Sequence, residues 1–331
     1  MKSFTWWIKS SLFAIAMTGC GSASLADPLR EVNFRMEWIP SGMYAPFYLA
    51  VNSGDFTKVG LKVNMLSGNG GFAAIDEVAA GHADMGMASC GGLAIAISKG
   101  RAVVSVGQYI ERSTWAFFVP ADGNIHTFKD LVGKTVVVSP NSSEVMLLPA
   151  ILQYAGLQPD ALRKIAVDPS QKVATYGRRQ VDVVVTSAPF GGPLINEVRP
   201  SRMLKWADAG YVMPDFCIFA RKQTVKDDPQ MIKAFLQGIS QGIQDAARNP
   251  DAAVDATVKD NPFVKRPEVA EQWKLTTQFL TTSANSKCPI GWHPASEWKE
   301  GLATLKKYVG LDGDVSDLSR FYTNQFFDSC Q

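Results

Sequence analysis

The sequence predicts an α/β chain folded as two lobes joined by two crossovers. Mainly parallel sheets flanked by helices make up the lobes, followed by a helical C-terminal part. Three observations predict this. Strand-like and helix-like stretches alternate from Val32 to Tyr109, the alternation restarts at Trp115, and helical spacing takes over beyond Arg221. At 331 residues the chain is long for one core, and roughly 100–200 residues per domain gives two.

Val32, Phe34 and Met36 alternate with polar neighbours, a strand pattern. Residues 43–53 read as a helix and 61–66 as a strand. Gly68-Asn69-Gly70-Gly71 is a turn, and the helix 72–80 is closed by Gly81. A strand at 83–87, a helix at 93–99 and a strand at 102–109 complete a β-α-β-α-β run, which implies a mainly parallel sheet with helices on both faces. The second unit opens with a strand at 115–119. A helix follows at 127–131, a strand at 134–139 and a helix at 144–154, which Pro149 should kink. Strands are read at 164–167, 181–186, 203–206 and 216–221, with a helix at 170–178. Helical spacing then covers 228–248, 251–259, 267–281 and 294–308. This pattern assigns residues 30–118 plus 216–331 to lobe one and 119–215 to lobe two. The chain would pass between them near Val119 and near Asp215. A cleft between lobes is a preferred place for a small ligand.

Residues 1–26 read as an export signal: Lys2 and Lys9, an apolar stretch at 10–17, then small residues. Ser24-Leu25-Ala26 is a small-x-small cleavage site that would release a soluble protein. Met17-Thr18-Gly19-Cys20 resembles a lipobox, which would make the signal 1–19 and put a lipid on Cys20. Both place the folded part in the periplasm. No later apolar run approaches the length of a membrane span. Removing Lys2 and Lys9 leaves 31 basic residues against 31 acidic, so the basic excess of a nucleic-acid-binding protein is missing. Cys90 and Cys217 lie in apolar surroundings and read as buried small hydrophobes. Cys288 and Cys330 lie in polar, turn-like sequence, where a disulfide between them would pin the C-terminal tail; connectivity is not fixed by sequence.

Little in the chain suits catalysis. His82, His126 and His293 show no metal-ligand spacing, so no metal is expected. Gly238-Ile239-Ser240-Gln241-Gly242 matches a nucleophile elbow in letters, but it falls inside the helix 228–248 rather than after a strand. Asp76-Glu77 are adjacent on a helix and do not face each other. No catalytic residue and no cofactor is assigned.

The loops suit binding better. Gly68-Asn69-Gly70-Gly71-Phe72-Ala73 follows a strand and opens a helix. Its backbone N–H groups at Asn69, Gly70 and Gly71 would attract an anionic group, or the segment is a structural turn. Ser139-Pro140-Asn141-Ser142-Ser143-Glu144 repeats the arrangement. Ser142 or Ser143 would cap the helix, or Ser139, Asn141, Ser142 and Ser143 would offer donors at the carboxyl end of a parallel strand. A third loop of this type carries Phe190. Trp38 and Tyr44 follow the first strand and would stack on a planar ligand, or belong to a satellite core. Arg112 would meet a carboxylate or sulfonate, or form a salt bridge at the hinge.

Several stretches resemble one family. They are Glu37-Trp38-Ile39-Pro40, Tyr44-Ala45-Pro46-Phe47-Tyr48-Leu49-Ala50, Gly54-Asp55-Phe56 and Val59-Gly60-Leu61-Lys62-Val63. Gly70-Gly71, Ala80-Gly81-His82-Ala83-Asp84, Val104-Ser105-Val106-Gly107, Phe128-Lys129-Asp130-Leu131-Val132-Gly133-Lys134 and Arg179-Gln180-Val181-Asp182 follow in order. The family is the thiamine-pyrimidine-precursor, alkanesulfonate and nitrate type of solute-binding protein of ATP-binding-cassette importers. The resemblance implies a two-lobed periplasmic-binding-protein fold of type II that closes about a hinge. It implies a monomer that captures a small molecule without altering it and delivers it to a membrane permease with a cytoplasmic ATPase. Trp38 and Tyr44 match the family's first ligand loop and Gly70-Gly71 the second. Ser89-Cys90 lie where another contact loop falls, and residues 139–143 match the facing loop. Glu37 stands where precursor binders usually have Asp, and Cys90 is unusual in its loop. The expected ligand is planar from Trp38 and Tyr44 and anionic from Arg112 and the helix starts, as an aromatic carboxylate would be. The alternatives are a sensor domain that presents its ligand, or an enzyme like the fungal pyrimidine synthase. The latter would need a cysteine-rich iron-binding run that this chain lacks, and would carry no export signal.

Overall fold

Val32 and Phe34 point into a core from β1 (Arg30–Arg35), while Asn33 and Arg35 are only half-buried. That period-two pattern opens the first of two five-stranded sheets. The computed structural model describes residues 28–140, 142–280 and 287–330, with Met1 and Ser3. The export segment with Cys20, and the candidate Asn141, lie outside the described residues.

In chain order β1 is followed by α1 (Ala45–Asn52), α2 (Asp55–Lys58), β2 (Leu61–Leu66), α3 (Gly71–Ala80), β3 (Met85–Ser89), α4 (Cys90–Ser98) and β4 (Val103–Ile110). The second unit holds β5 (Trp115–Pro120), β6 (Thr135–Val138), α5 (Ser143–Tyr154), β7 (Arg163–Ala166), α6 (Lys172–Gly177), β8 (Val183–Ser187), α7 (Ala188–Val198) and β9 (Ser201–Lys205). The chain then returns through β10 (Phe216–Arg221), α8 (Lys222–Asp227), α9 (Pro229–Arg248), α10 (Pro250–Asp260), α11 (Arg266–Thr276) and α12 (Ala295–Tyr308). The segment read as a helix at 127–131 is a 3-10 turn, Phe128–Leu131.

The sheets repeat one topology. Lobe one runs β2-β1-β3-β10-β4 and lobe two runs β7-β6-β8-β5-β9. β1 is parallel to β2 and β3, and β6 is parallel to β7 and β8. In each sheet the strand that arrives from the other lobe, β10 or β5, is antiparallel to its neighbours. β5 pairs with β8 and β9 along its length, so the first passage between sheets occupies residues 111–114, ahead of Val119.

One carboxylate ties the passages together. Asp215 is buried, and its side chain accepts from the Thr114 N–H at 2.6 Å, the Thr114 hydroxyl and the Trp115 indole N–H at 2.6 Å. Its own N–H donates to Ile110 at the end of β4, and its carbonyl accepts from the N–H of Cys90. Burial pushes its carboxyl up to about 7 against the pull of those donors.

In the helical C-terminal part α9 and α10 pack on lobe one, whereas α11 also packs on α7 and α12 on α5 of lobe two. α9 buries Met231, Ile232, Phe235, Leu236, Ile239 and Ile243, a helical stripe facing α1 and α2. Phe235 stacks on both Phe34 and Phe56 with centroids 5.1 Å apart. The elbow-like motif is explained by this packing. A Cβ at Gly238 would lie 2.5 Å from Phe56, and one at Gly242 would lie 2.6 Å from the Pro46 carbonyl oxygen.

The cysteines need a correction. Cys90 and Cys217 are fully buried, as the apolar surroundings suggested, but they are bonded to each other. The bond joins the start of α4 to β10 across 127 residues of chain. Two short apolar contexts carried no sign that β10 would return beside β3. Cys288 and Cys330 are also bonded, which holds the C-terminal segment against the body.

Two stability measurements check this framework. The double substitution Cys90→Ala/Cys217→Ala should cost about 2–4 kcal/mol in urea unfolding, since the bond closes a long loop; a loss within ~0.5 kcal/mol would mean the bond is not formed. Asp215→Ala, which leaves the Thr114 and Trp115 donors buried without an acceptor, should cost about 2–4 kcal/mol. An unchanged midpoint would remove the carboxylate from its place between the two passages.

Candidate functional site

The carboxyl ends of the parallel strands in both sheets face each other, and the loops that leave them line a narrow cavity of about 40 Å³. Lobe one contributes Glu37, Trp38, Ser41, Met43 and Tyr44 from the segment after β1, and Phe216 from β10. Trp115, Ser142, Glu144, Lys172, Thr186, Ser187 and Phe190 come from lobe two. Trp38 and Phe190 meet edge to face across the lobes, with centroids 6.2 Å apart at 76°. Trp115 and Phe216 lie nearly parallel at 6.4 Å. The Trp38 N–H donates to the Tyr44 hydroxyl at 3.1 Å, which fixes the loop that carries the indole. Gln272 on α11 braces both walls. Its Oε1 accepts from the Gly42 N–H and its Nε2 donates to the Phe190 carbonyl, each at 2.9 Å.

Glu37 is the most perturbed acid on the wall. Burial pushes its carboxyl up to about 8, the Ser143 hydroxyl works against that, and the charges of Asp215 and Glu144 reinforce it. Oε1 accepts from Ser143 Oγ at 3.0 Å, while Oε2 is buried with no hydrogen-bond partner. Ser41 Oγ and Ser139 Oγ are likewise buried and unpartnered. Glu144, in the first turn of α5, is ion-paired with Lys172 of α6, and both are almost fully buried. Burial also raises the Tyr44 phenol well above its ordinary range, with the Glu37 charge adding to it.

Of the candidate residues, Trp38, Tyr44, Ser142 and Phe190 line this cavity. Ser142 Oγ donates to the Ser139 carbonyl at 2.6 Å, so it closes the turn before α5. Asn69 lines a second, wider crevice of about 560 Å³ with Trp38, Ile39, Pro140 and Asp168, on the outer side of the tryptophan. Other candidates are spent on structure. The N–H groups of Gly68 and Gly70 donate to the carbonyls of Trp38 and Glu37, so the anion-cradling use expected of this turn is corrected at Gly70. Gly68 is required there because a Cβ would lie 2.0 Å from the Met36 carbonyl oxygen. Gly71 faces Glu37 and Ser143. Ser89 caps α4 by accepting from the Gly92 N–H at 3.0 Å. Cys90 is committed to its disulfide. Arg112 is corrected too: it is exposed and donates to the Gln278 carbonyl at 2.8 Å, away from the cavity.

The residues that sequence reasoning passed over are Glu37 as a contact, Ser41, Trp115, Phe216 and the Glu144–Lys172 pair. Trp115 and Phe216 had a usable signal, since each is the first residue of a strand that follows a crossover. The ion pair spans 28 residues with no pattern in between. Among the described residues no group of three or more His, Cys, Asp or Glu is placed to hold a metal ion, and no helix is long and apolar enough to cross a membrane.

Comparison with known proteins agrees with this architecture. A formylaminopyrimidine-binding protein of Halalkalibacterium halodurans is 23% identical, over 95% of this chain and 97% of its own. A 4-amino-5-hydroxymethyl-2-methylpyrimidine phosphate synthase of Legionella pneumophila is 19% identical, over 89% of this chain and 92% of its own. The alkanesulfonate-binding protein SsuA of Xanthomonas axonopodis pv. citri, solved bound to MOPS, superposes with a TM-score of 0.70 at 16% identity, covering 90% of this chain and 99% of its own. The fold is thus that of the periplasmic binding proteins. A family model described as NMT1/THI5 like matches residues 42–253, which include most of both sheets and most of the cavity wall, and the chain belongs to that family.

Proposed function

We propose that this protein captures a small planar organic solute between its lobes, outside the cytoplasm, and hands it to a membrane importer. The observation that carries the reading is unspent recognition. Glu37 Oε2 and Ser41 Oγ are buried without protein partners beside Trp38, Trp115, Phe190 and Phe216. Buried polar atoms are normally paired, and at a ligand site the ligand supplies the partner. The aromatic faces supply stacking at little entropic cost. The names of the binding-protein relatives support capture. The N-terminal export pattern and two disulfides support an oxidising compartment.

The charge of the wall moves the ligand class away from an anion. Arg112 stays outside, and Lys172 is committed to Glu144. The helix starts of α5 and α7, which line the cavity, still favour partial negative charge on the solute. An uncharged ring that offers both a donor and an acceptor to Glu37 fits this balance better than a carboxylate or sulfonate.

The test is a thermal-shift panel of pyrimidines, flavins, aromatic carboxylates, sulfonates and nitrate on the purified protein. A ligand at about 100 times its dissociation constant adds roughly 2.7 kcal/mol of stability. An uncharged ring recovered unaltered supports capture. A ligand that is consumed would move the protein to the enzymes of the family, and stabilisation by anions alone would restore the anionic reading. Trp38→Ala should weaken the recovered ligand by about 1–3 kcal/mol; unchanged affinity in a folded variant would take the indole out of the contact. Lys172→Met should cost about 3–5 kcal/mol of stability by stranding Glu144. Intact stability with lost anion binding would instead make Lys172 the ligand's own cation.

A further inference from the structure

Beside the cavity the lobes meet in a socket. The first turn of α5 sets Ser143 against Glu37 and the starts of α3 and α4. The fit depends on missing side chains. A Cβ at Gly71 would lie 2.5 Å from Ser143 Oγ and 2.7 Å from Glu37 Oε1. One at Gly92 would lie 3.0 Å from Ser143 Oγ, and one at Gly91 would lie 2.5 Å from the Tyr211 hydroxyl and 3.1 Å from Leu147 of α5. Ser143 thus covers Glu37 while donating to it, and the residue as a whole is 4% exposed.

Burial outweighs the Ser143 hydroxyl and the Ser89 backbone N–H, the two groups that favour the charge of Glu37, and no cation faces it. Asp215 approaches from the second passage and Glu144 from α5, and both oppose ionisation. Tyr44 is a neutral phenol whose hydroxyl accepts from the Trp38 N–H. Lys172, the cation on α6, is held by Glu144. A neutral carboxyl keeps the bond from Ser143 and avoids a stranded charge.

We propose that closing the cleft takes up a proton at Glu37, with Ser143 as the lid on that carboxyl and Gly71 as the gap that lets the lid seat. The proposal rests on the cleft being the capture site and adds regulation to it. Separating the lobes removes Ser143 and admits water, which returns the carboxyl to its ordinary range. Sealed, it sits at about 8 rather than 4.5. An acid raised in the closed form favours that form below its open value. The preference is lost as pH rises through the window from 4.5 to about 8. Across that window the closed-to-open ratio falls by up to about tenfold per pH unit.

Small-angle scattering of the full chain, with no ligand added, tests this between about pH 5 and about pH 9. The radius of gyration of the unsubstituted protein should grow with pH. Glu37→Gln keeps an acceptor for Ser143 and cannot ionise, so it should stay compact throughout. Gly71→Ala should be expanded at every pH, because its methyl props the socket open. A flat profile in the unsubstituted protein overturns the proposal, as does a Glu37→Gln profile that still rises. A slope abolished by Asp215→Asn but not by Glu37→Gln overturns it too, by assigning the proton to the hinge. Because no ligand enters, a flat profile leaves capture standing, and silence across the ligand panel leaves the proton coupling standing.

Discussion

The fold turns on a buried carboxylate where the chain passes between the two sheets. Asp215 accepts from the backbone and hydroxyl of Thr114 and from the indole of Trp115, all at the entry to lobe two. Its backbone is bonded to Ile110 and Cys90 of lobe one. One side chain therefore sets where each crossover leaves its sheet, and hence how the strand ends of the lobes face each other. The Cys90–Cys217 bond lies two residues away in the chain and locks β10 to the start of α4. Removing a charge from water at such a site is costly, and three donors offset that cost.

The cavity inherits its character from this junction. Trp115 and Phe216 are the first residues after each crossover, so the junction between the sheets supplies two walls of the site. The other walls come from loops braced by Gln272 and by the Trp38–Tyr44 bond. Acids outnumber free cations on the wall: Glu37 is raised by burial, Glu144 is matched by Lys172, and Asp215 stands just behind. The same arithmetic makes lobe closure and protonation of Glu37 two faces of one event.

Local signals read the elements well because they depend on short-range periodicity. The alternation of Val32, Phe34 and Met36 and the helical stripe from Met231 to Ile243 each follow from burying one face. Pairings were less legible. Cys90 and Cys217 read as two unrelated buried residues because nothing in either context records that β10 returns beside β3. Arg112 read as a ligand contact because it follows a strand, yet its guanidinium turns outward to Gln278. The Gly68–Gly71 turn looked like an anion cradle, and the structure spends two of its N–H groups on the segment after β1. Its glycines answer close approaches of backbone and of the opposite lobe, which no spacing rule encodes.

The sequence by itself determined the two-lobed α/β architecture, the helical C-terminal part and the loops from which a site would be drawn. Hydrophobic period and turn chemistry act over a few residues and survive in one dimension. Only the tertiary structure decided which loop atoms are free for a ligand, which cation is already paired, and that Glu37 lies sealed under Ser143. These properties depend on distances between residues 28 to 127 positions apart and on exclusion of water, and both arise only when the lobes come together.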